Sequence, residues 1–187
     1  SLFDLPLAPR RPMPDGSRYQ PDLITSEEER DLVRQFAQVD FKSHEHLDYL
    51  GNRRVAAFGW RRGVDGAMVE TAKAFGFLIP LLDRVAAFTR LSAGRFRHAL
   101  VAEFAPSAGI RWHRDRPLAV AIAGVSLLSP CTFRLRRKVA DRWDRASILA
   151  APRSAYLMSG PSRSDWRHSI PQVEALRCAV TFRTVRV

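Results

Sequence analysis

Two histidines and one aspartate have the types and the spacing of a metal site. His113 and Asp115 are two residues apart in a segment that the sequence predicts as a strand, so their side chains project from the same face. His168 follows later in the chain. Two imidazoles and a carboxylate on one side of a metal leave positions open for reactants, as in non-haem Fe(II) oxygenases. A second triplet, residues 46–48 (HLD), has polar surroundings and no strand pattern, and we do not expect it to bind metal.

The last predicted strand has one apolar face and one face that carries arginines. Its alternating residues are Leu176, Cys178, Val180 and Phe182 on the apolar side, and Arg177, Ala179, Thr181 and Arg183 on the other. Two long guanidinium side chains on one face could grip the two ends of a short dicarboxylate. The alternative, which the strand by itself leaves equally open, is a solvated face on which both arginines meet water.

The positive charge of the chain is concentrated in its second part. The 30 basic and 19 acidic residues give a net charge of +11. Residues 1–110 carry 15 basic and 14 acidic side chains, whereas residues 111–187 carry 15 and 5. A field of one sign suits a polyanionic partner such as nucleic acid, because each arginine that meets a phosphate releases a counterion. A merely basic surface is the alternative, but coding bias toward arginine does not explain this segregation.

The order of the predicted elements is helices first and strands afterwards. Residues 1–21 contain five prolines and are predicted to form an extended arm. A capping box at residues 26–29 (SEEE) predicts a helix that ends near residue 39, and residues 80–90 predict a second helix. Between them the sequence favours a strand at 55–58 and a loop at 59–63. Further strands are predicted at 98–104, 110–115, 119–128, 131–137, 147–149, 154–158 and 176–186. This order indicates an α+β fold with a sandwich or open barrel of strands.

Several of these features together resemble a known family. The segment 105–115 (APSAGIRWHRD), the later His168 and the pattern R-x-x-x-T-F-R at 177–183 are similar to the AlkB family of Fe(II)- and 2-oxoglutarate-dependent dioxygenases. The resemblance covers residues 98–187 well. It implies a double-stranded β-helix (jelly-roll) core at 98–187 with N-terminal helices packed against it. Residues 22–187 would then form one domain, in which 22–97 carry the helices and a nucleotide-recognition lid.

The resemblance also implies an activity, cofactors and site residues. The activity is oxidative demethylation of N-alkylated bases in nucleic acid, with O₂ consumed and formaldehyde, succinate and CO₂ released. His113, Asp115 and His168 would hold the catalytic iron, Arg177 would pair with the distal carboxylate of 2-oxoglutarate, and Arg183 would lie toward its metal-bound end. Thr181 and Phe104 are the other residues expected at the cosubstrate. The sequence departs from the family at Ala102, Phe104, Ala179 and Pro117, where members often carry Asn, Tyr, Asn and a base-contacting Asp.

Aromatic and basic residues provide candidates for substrate binding. An enzyme that acts on a single-stranded or flipped base needs aromatic surfaces and phosphate-facing cations. The candidates for these contacts are Trp60, Phe58, Arg61, Arg111, Arg134 and Arg136. A place in the core is the alternative for Phe58, and a solvated strand surface is the alternative for Arg134 and Arg136, which are expected on an outer face. Trp112 and Trp166 are expected in the core.

Two other functions stay open from the sequence. The same iron chemistry could act on a protein or a small molecule, or the chain could be a jelly-roll module that binds nucleic acid and has lost its catalysis. The chain shows no signal-peptide pattern, no apolar run of membrane-spanning length and no paired cysteines, so a cytoplasmic protein without a membrane partner is expected. We expect a monomer.

Overall fold

A computed structural model of the chain describes residues 13–43, 49–62, 68–71, 76–115, 117 and 119–185. The strands are β1 (Ser17–Gln20), β2 (Lys42–Ser43), β3 (Tyr49–Leu50), β4 (Arg53–Arg62), β5 (Met68–Thr71), β6 (Phe96–Phe104), β7 (Gly109–His113), β8 (Ala119–Leu127), β9 (Cys131–Val139), β10 (Arg142–Ala150), β11 (Ala155–Met158), β12 (Arg167–Ile170) and β13 (Arg177–Val185). The helices are α1 (Ser26–Phe36), α2 (Ile79–Thr89) and α3 (Pro161–Ser164), and short 3₁₀ turns lie at Gly76–Leu78 and Ala93–Arg95.

The strands form two antiparallel sheets. The larger sheet has the order β1-β11-β8-β13-β6-β4-β2, with β5 paired to β4, and the smaller sheet has the order β10-β9-β12-β7-β3. Strands that are distant in sequence are neighbours in both sheets, as β13 is between β6 and β8. A jelly-roll core with helices packed against it, as the sequence analysis expects, is confirmed.

Two apolar cores lie on the two faces of the larger sheet. One core fills the space between this sheet and the helices, and it includes Val180 and Phe182 of β13 together with Phe36 and Val85. The other core lies between the two sheets and includes Phe133 and Tyr156. The two faces of β13 therefore differ in composition because they meet different surroundings. Its even-numbered side chains pack in the core under the helices, and its odd-numbered side chains face the space between the sheets.

Helix α1 begins one residue earlier than the SEEE pattern predicts. Thr25 is the N-cap, because its hydroxyl accepts from the Glu28 amide while the Glu28 carboxylate accepts from the Thr25 amide. Glu29 is instead buried, where it accepts hydrogen bonds from the Leu128 amide and from Arg153. The helix ends at Phe36, short of the predicted residue 39, because the amides of residues 37–39 bond to carbonyls three residues back, in turns and not in α-helical geometry.

Three further segments differ from the predictions. The loop predicted at 59–63 is wrong for residues 59–62, because β4 continues to Arg62 and pairs with β5. The strand predicted at 147–149 is the end of β10, which begins at Arg142 and pairs with β9 along its whole length. In the predicted arm 1–21, Ser17–Gln20 pairs with β11, so this part of the arm belongs to the larger sheet. Among the described residues no helix is long and apolar enough to cross a membrane.

Candidate active site

The two histidines and the aspartate meet between the sheets. His113 is the last residue of β7, His168 lies on β12, and the two strands pair at these residues. The Asp115 Oδ1 atom is 3.4 Å from His113 Nε2 and 3.8 Å from His168 Nε2. One ligand atom from each of the three residues lies within 4.8 Å of the others, so a single metal ion can contact all three.

Asp115 reaches this cluster from a loop and not from a strand. The predicted strand 110–115 is wrong at its end, because β7 stops at His113 and its pairing with β12 ends there. Two buried or half-buried arginines hold the loop instead. Arg163 donates to the Asp115 carbonyl oxygen at 3.0 Å, and Arg183 Nε donates to Asp115 Oδ2 at 3.1 Å. The second contact leaves Oδ1 turned toward the two imidazoles.

The protonation states of the cluster favour metal binding. Burial raises the pKa of the Asp115 carboxyl, but Arg183, a hydrogen bond with His113 and the two imidazoles together hold that pKa well below its usual range. Burial lowers the pKa of His168 to about 3, so this ring is neutral at physiological pH. His113 Nδ1 donates to the Arg111 carbonyl oxygen at 2.9 Å, which directs Nε2 toward Asp115 and the centre of the cluster.

A buried arginine of the larger sheet faces the space between the two sheets. Arg177 is 0% exposed, and its guanidinium lies over the Phe104 ring at 5.0 Å from the centroid. Its Nη2 donates to Ser126 Oγ at 3.2 Å. Its Nε and Nη1 have no hydrogen-bond partner among the described residues. Since a buried charged donor without a partner is costly, the Nε and Nη1 donors are candidates for binding an anion.

A buried tyrosine, Tyr156, lies near enough to both Arg177 and Asp115 for their charges to act on it. The Tyr156 ring stacks on Phe133 at 4.3 Å, and Phe133 in turn stacks on His168 at 5.3 Å. The ring lies across Gly124, where an added Cβ would come within 2.2 Å of it. Burial raises the pKa of Tyr156 to about 12, and the nearby charges that act on it include Arg177 and Asp115. The phenol therefore stays protonated and can donate a hydrogen bond.

Comparison with known protein families identifies this arrangement. The family model described as the 2OG-Fe(II) oxygenase superfamily matches residues 16–183, which includes both sheets and the whole cluster. The chain belongs to the 2OG-Fe(II) oxygenase superfamily. It is therefore an oxidoreductase, a dioxygenase that uses Fe(II), 2-oxoglutarate and O₂.

Individual relatives of this oxygenase agree with that assignment. The chain is 28% identical over 193 residues to the "Alkylated DNA repair protein ALKBH8 homolog" of Arabidopsis thaliana, a match covering 89% of this chain and 54% of the relative. The chain thus spans about half the length of that protein. The solved structure titled "The structure of OsALKBH1" has a TM-score of 0.66 at 14% identity, covering 93% of this chain and 100% of the other. The resemblance to AlkB-like oxygenases is confirmed.

Two other solved oxygenase structures share the fold. A 2OG-Fe(II) oxygenase family oxidoreductase from Burkholderia pseudomallei has a TM-score of 0.68 at 13% identity, and the match covers 92% of this chain and 86% of the other. A prolyl-4-hydroxylase from Pseudomonas putida has a TM-score of 0.60 at 14% identity, with 92% and 94% of the two chains covered. Together with the structure of OsALKBH1, these two structures confirm the double-stranded β-helix fold.

The donor sets of this oxygenase fit its cofactors. Two imidazoles and one carboxylate converge, as an Fe(II) site with open positions requires. The unpaired donors of Arg177, Nε and Nη1, can each donate a charge-assisted hydrogen bond to a carboxylate oxygen. Both features face the space between the two sheets, and Tyr156 packs in the same core.

The predicted cosubstrate residues lie around this space. Arg183 contacts Asp115 and also donates to His98 Nδ1 at 3.3 Å, so it lies at the metal end of the site. Burial and then Arg183 lower the pKa of His98 to about 4, which makes this ring a neutral acceptor. Phe104 lies between the guanidinium groups of Arg177 and Arg53. Thr181 is half-buried and pairs with Gly124.

The predicted substrate residues lie in several different places. Phe58 is buried in the core under the helices and packs edge-on against Phe77 at 5.9 Å, so its predicted contact with a base is wrong. Trp60 and Arg61 lie on the paired part of β4, and their side chains lie outside the described part of the chain, as do His44 and the triplet 46–48. Strand alternation would point Arg111 inward together with His113, but its side chain is exposed.

Arg134 and Arg136 lie on the face of the smaller sheet that points away from the iron site. Their neighbours Phe133 and Leu135 on β9 fill the space between the sheets, so the arginines project outward as expected. Trp166 is buried in the core as expected. Trp112 is half-buried on the outer face, where Arg134 and Arg136 lie over its ring, so its predicted core position is wrong.

Sequence reasoning missed Tyr156, Ser126 and Arg163. Tyr156 lies in the short strand AYLM, where every residue is buried, so no polar alternation marks it as a site residue. Ser126 is similarly hidden in the apolar run of β8. The signal that could have found Tyr156 is Gly124 in the neighbouring strand, since a glycine inside a strand often marks the close approach of another group.

Proposed function

We propose that this oxygenase removes N-linked methyl groups from bases in nucleic acid. The observation that carries the proposal is that the metal-type cluster and the unpaired donors of Arg177 face the same space between the two sheets. The nucleic acid substrate is supported by the name of the Arabidopsis relative, which describes repair of alkylated DNA, and by the net charge of +11.

His113, Asp115 and His168 are the residues that would hold Fe(II). When bound, Fe(II) and 2-oxoglutarate supply an oxidation in which one oxygen atom of O₂ enters succinate, with loss of CO₂, and the other enters the methyl C–H bond. The hydroxymethyl group then leaves as formaldehyde, and the base nitrogen regains its proton or its neutral form. The four electrons that O₂ needs come in equal parts from the oxo acid and from the methyl group.

The residues around the cluster orient the ligands. The Arg111 carbonyl fixes His113 by accepting from Nδ1, and Arg183 occupies Oδ2 of Asp115, so that only Oδ1 faces the cluster. Groups of this kind set the orientation and the basicity of metal ligands. Arg163 holds the backbone of the ligand loop at Asp115.

Arg177 and Tyr156 would hold the cosubstrate. Arg177 would bind the distal carboxylate through an unpaired donor, Nε or Nη1, while the Phe104 ring covers one face of the guanidinium. The family often has a tyrosine at position 104 and asparagines at 102 and 179, and here these are Phe104, Ala102 and Ala179. The buried phenol of Tyr156 is the group that would replace part of this lost hydrogen bonding.

The decisive experiment measures two products in one reaction. Purified protein is incubated with Fe(II), ascorbate, 2-oxoglutarate and a single-stranded oligonucleotide that carries 1-methyladenine and 3-methylcytosine. Succinate and the loss of methyl mass are read by mass spectrometry, with His113→Ala as the blank. We expect both products from the wild type in equal amounts and neither from the variant.

The other outcomes separate the alternatives. Succinate without methyl loss would overturn these bases as the substrate and favour the same chemistry on a protein or a small molecule. Neither product from protein that contains iron would overturn the demethylase and favour a module that only binds nucleic acid. Methyl loss that persists in His113→Ala would overturn the assigned iron site.

A further inference from the structure

Three arginines stand in register on the outer face of the smaller sheet. Arg167 of β12 pairs with Arg136 of β9, which pairs with Arg145 of β10. The three side chains belong to outward positions, since the residues that alternate with Arg136 are buried between the sheets. Adjacent strands lie about 4.8 Å apart, so three positive charges follow one another across the sheet. We call Arg167, Arg136 and Arg145 the arginine row.

Two indole rings pack against Arg136, the central arginine of the row. The guanidinium of Arg136 lies 4.2 Å from the ring centre of Trp112 and 4.4 Å from that of Trp143. Trp143 is 39% exposed, so one side of this stack is open to solvent. Stacking accounts for the position of Arg136, but Arg145 and Arg167 remain exposed beside it.

The row is electrostatically unfavourable in the protein by itself. Like charges directly opposite each other on paired strands destabilise a sheet. Burial lowers the pKa of Arg136, and Arg167, Arg145 and Arg134 lower it further. The outward positions described on β9, β10 and β12 hold Thr132, Arg134, Arg136, Lys138, Trp143, Arg145, Ser147, Leu149, Arg167 and Ser169, and none of these is a carboxylate. An anion bound from solution would relieve the repulsion.

We propose that the arginine row, with Trp143, is a second nucleic-acid-binding surface that holds the phosphodiester backbone of a single strand outside the active site. The proposal rests on nucleic acid as the substrate and adds a site for the part of the strand that is not being oxidised. Arginines bind phosphate oxygens as forks, and an exposed indole offers a stacking surface to any base, so the site binds without sequence preference. The exposed indole favours a nucleic acid over an acidic protein, because a base can stack on it.

Binding of an unmethylated oligonucleotide tests this surface separately from catalysis. The affinity for a fluorescein-labelled 20-nucleotide single strand is measured by anisotropy from about 50 to 300 mM NaCl. The double variant Arg145→Gln, Arg167→Gln removes two exposed charges of the row and leaves Arg136 in its stack. The matched control Arg30→Gln, Arg34→Gln removes two exposed charges from α1, on the other side of the larger sheet.

The row variant and the control have different expected results. Each phosphate neutralised on a single strand contributes about 0.7 to the slope of log affinity against log salt, so the row variant should lose about 1.4 from this slope. Its affinity at low salt should fall about tenfold or more, while the control keeps the wild-type slope. Trp143→Ala should weaken binding about tenfold without a change of slope, because it removes stacking and no charge.

Catalysis on short and long substrates distinguishes the two proposals. A methylated trinucleotide is too short to reach both faces of the sheet, so the row variant should demethylate it at the wild-type rate. On a methylated 20-nucleotide strand the KM of the row variant should rise.

An unchanged salt slope in the row variant, with demethylation intact, would overturn this surface and leave the proposed function standing. If the wild type binds the oligonucleotide and the row variant loses salt slope, but neither demethylates, the surface is supported and the proposed function is overturned. Binding to anionic lipid vesicles in place of the oligonucleotide would overturn the nucleic-acid surface.

Discussion

The proposed cosubstrate site depends on single side chains. Arg177 would supply the charge, and two of its donors lack protein partners among the described residues. The position of the usual tyrosine is Phe104, whose ring lies under the guanidinium and cannot donate. Tyr156 lies on β11 and packs in the core between the sheets, where Gly124 leaves room for its ring. In the proposed site the Tyr156 hydroxyl would make a hydrogen bond that Phe104 cannot make.

The role of Tyr156 can be measured with a one-atom change. Tyr156→Phe should raise the KM for 2-oxoglutarate about tenfold or more, since a hydrogen bond to a charged group contributes about 1.5–3 kcal/mol. Succinate formation at varied 2-oxoglutarate gives the KM, and the iron content should not change. Tyr19→Phe makes the same change at a hydroxyl that contacts the Ala151 amide, and it should leave the KM unchanged. Equal KM values for both variants would exclude Tyr156 from the cosubstrate site.

Gly124 gives an independent test of the same position. Gly124→Ala adds a methyl group that would come within 2.2 Å of the Tyr156 ring, so the ring must move. We expect the KM for 2-oxoglutarate to rise at least as much as in Tyr156→Phe. The double variant Gly124→Ala, Tyr156→Phe should be less than additive, because both changes act on one contact. Full additivity in the measured KM values would contradict the shared contact.

At the scale of elements, the sequence predicted the parts that have a regular pattern. The alternation of β13 predicted its inner face from Arg177 to Arg183, because each face meets a different environment. The loop position of Asp115 was not predictable, since its placement depends on Arg163 and Arg183, which are distant in sequence. Strand β12, which carries His168, is short and has no alternation of its own, and its pairing with β7 and β9 defines it.

The start of α1 offers a test at this scale. Thr25→Ala removes the N-cap of the helix and should lower the free energy of unfolding by about 1 kcal/mol. Ser26→Ala changes the residue that the SEEE pattern suggests as the cap, and it should change stability by less than about 0.5 kcal/mol. Chemical denaturation of both variants gives the two values. A larger loss in Ser26→Ala than in Thr25→Ala would contradict the capping geometry.

At the scale of the whole molecule, the fold separates two kinds of arginine. The inner face of the sandwich carries Arg177 and Arg183 beside the iron-type cluster, where each has an anionic or aromatic neighbour. The outer face of the smaller sheet carries the arginine row, where positive charges adjoin one another. The sequence showed the excess charge in residues 111–187 but could not assign it to two faces, because strands β9, β10 and β12 come together only in the folded sheet.

The central claim is that the space between the two sheets holds both the iron and 2-oxoglutarate. Its most direct test separates iron binding from cosubstrate turnover. Iron content and succinate formation are measured side by side for the wild type, Asp115→Ala, Arg177→Gln and the matched control Asp144→Ala, whose carboxylate pairs with Arg137 at half-exposed positions. Thermal unfolding of each variant shows that it is folded. We predict that Asp115→Ala loses both iron and succinate, that Arg177→Gln keeps iron but forms succinate only at much higher 2-oxoglutarate, and that Asp144→Ala matches the wild type. Iron retained at the wild-type level in folded Asp115→Ala, or an unchanged 2-oxoglutarate dependence in Arg177→Gln, would contradict the account.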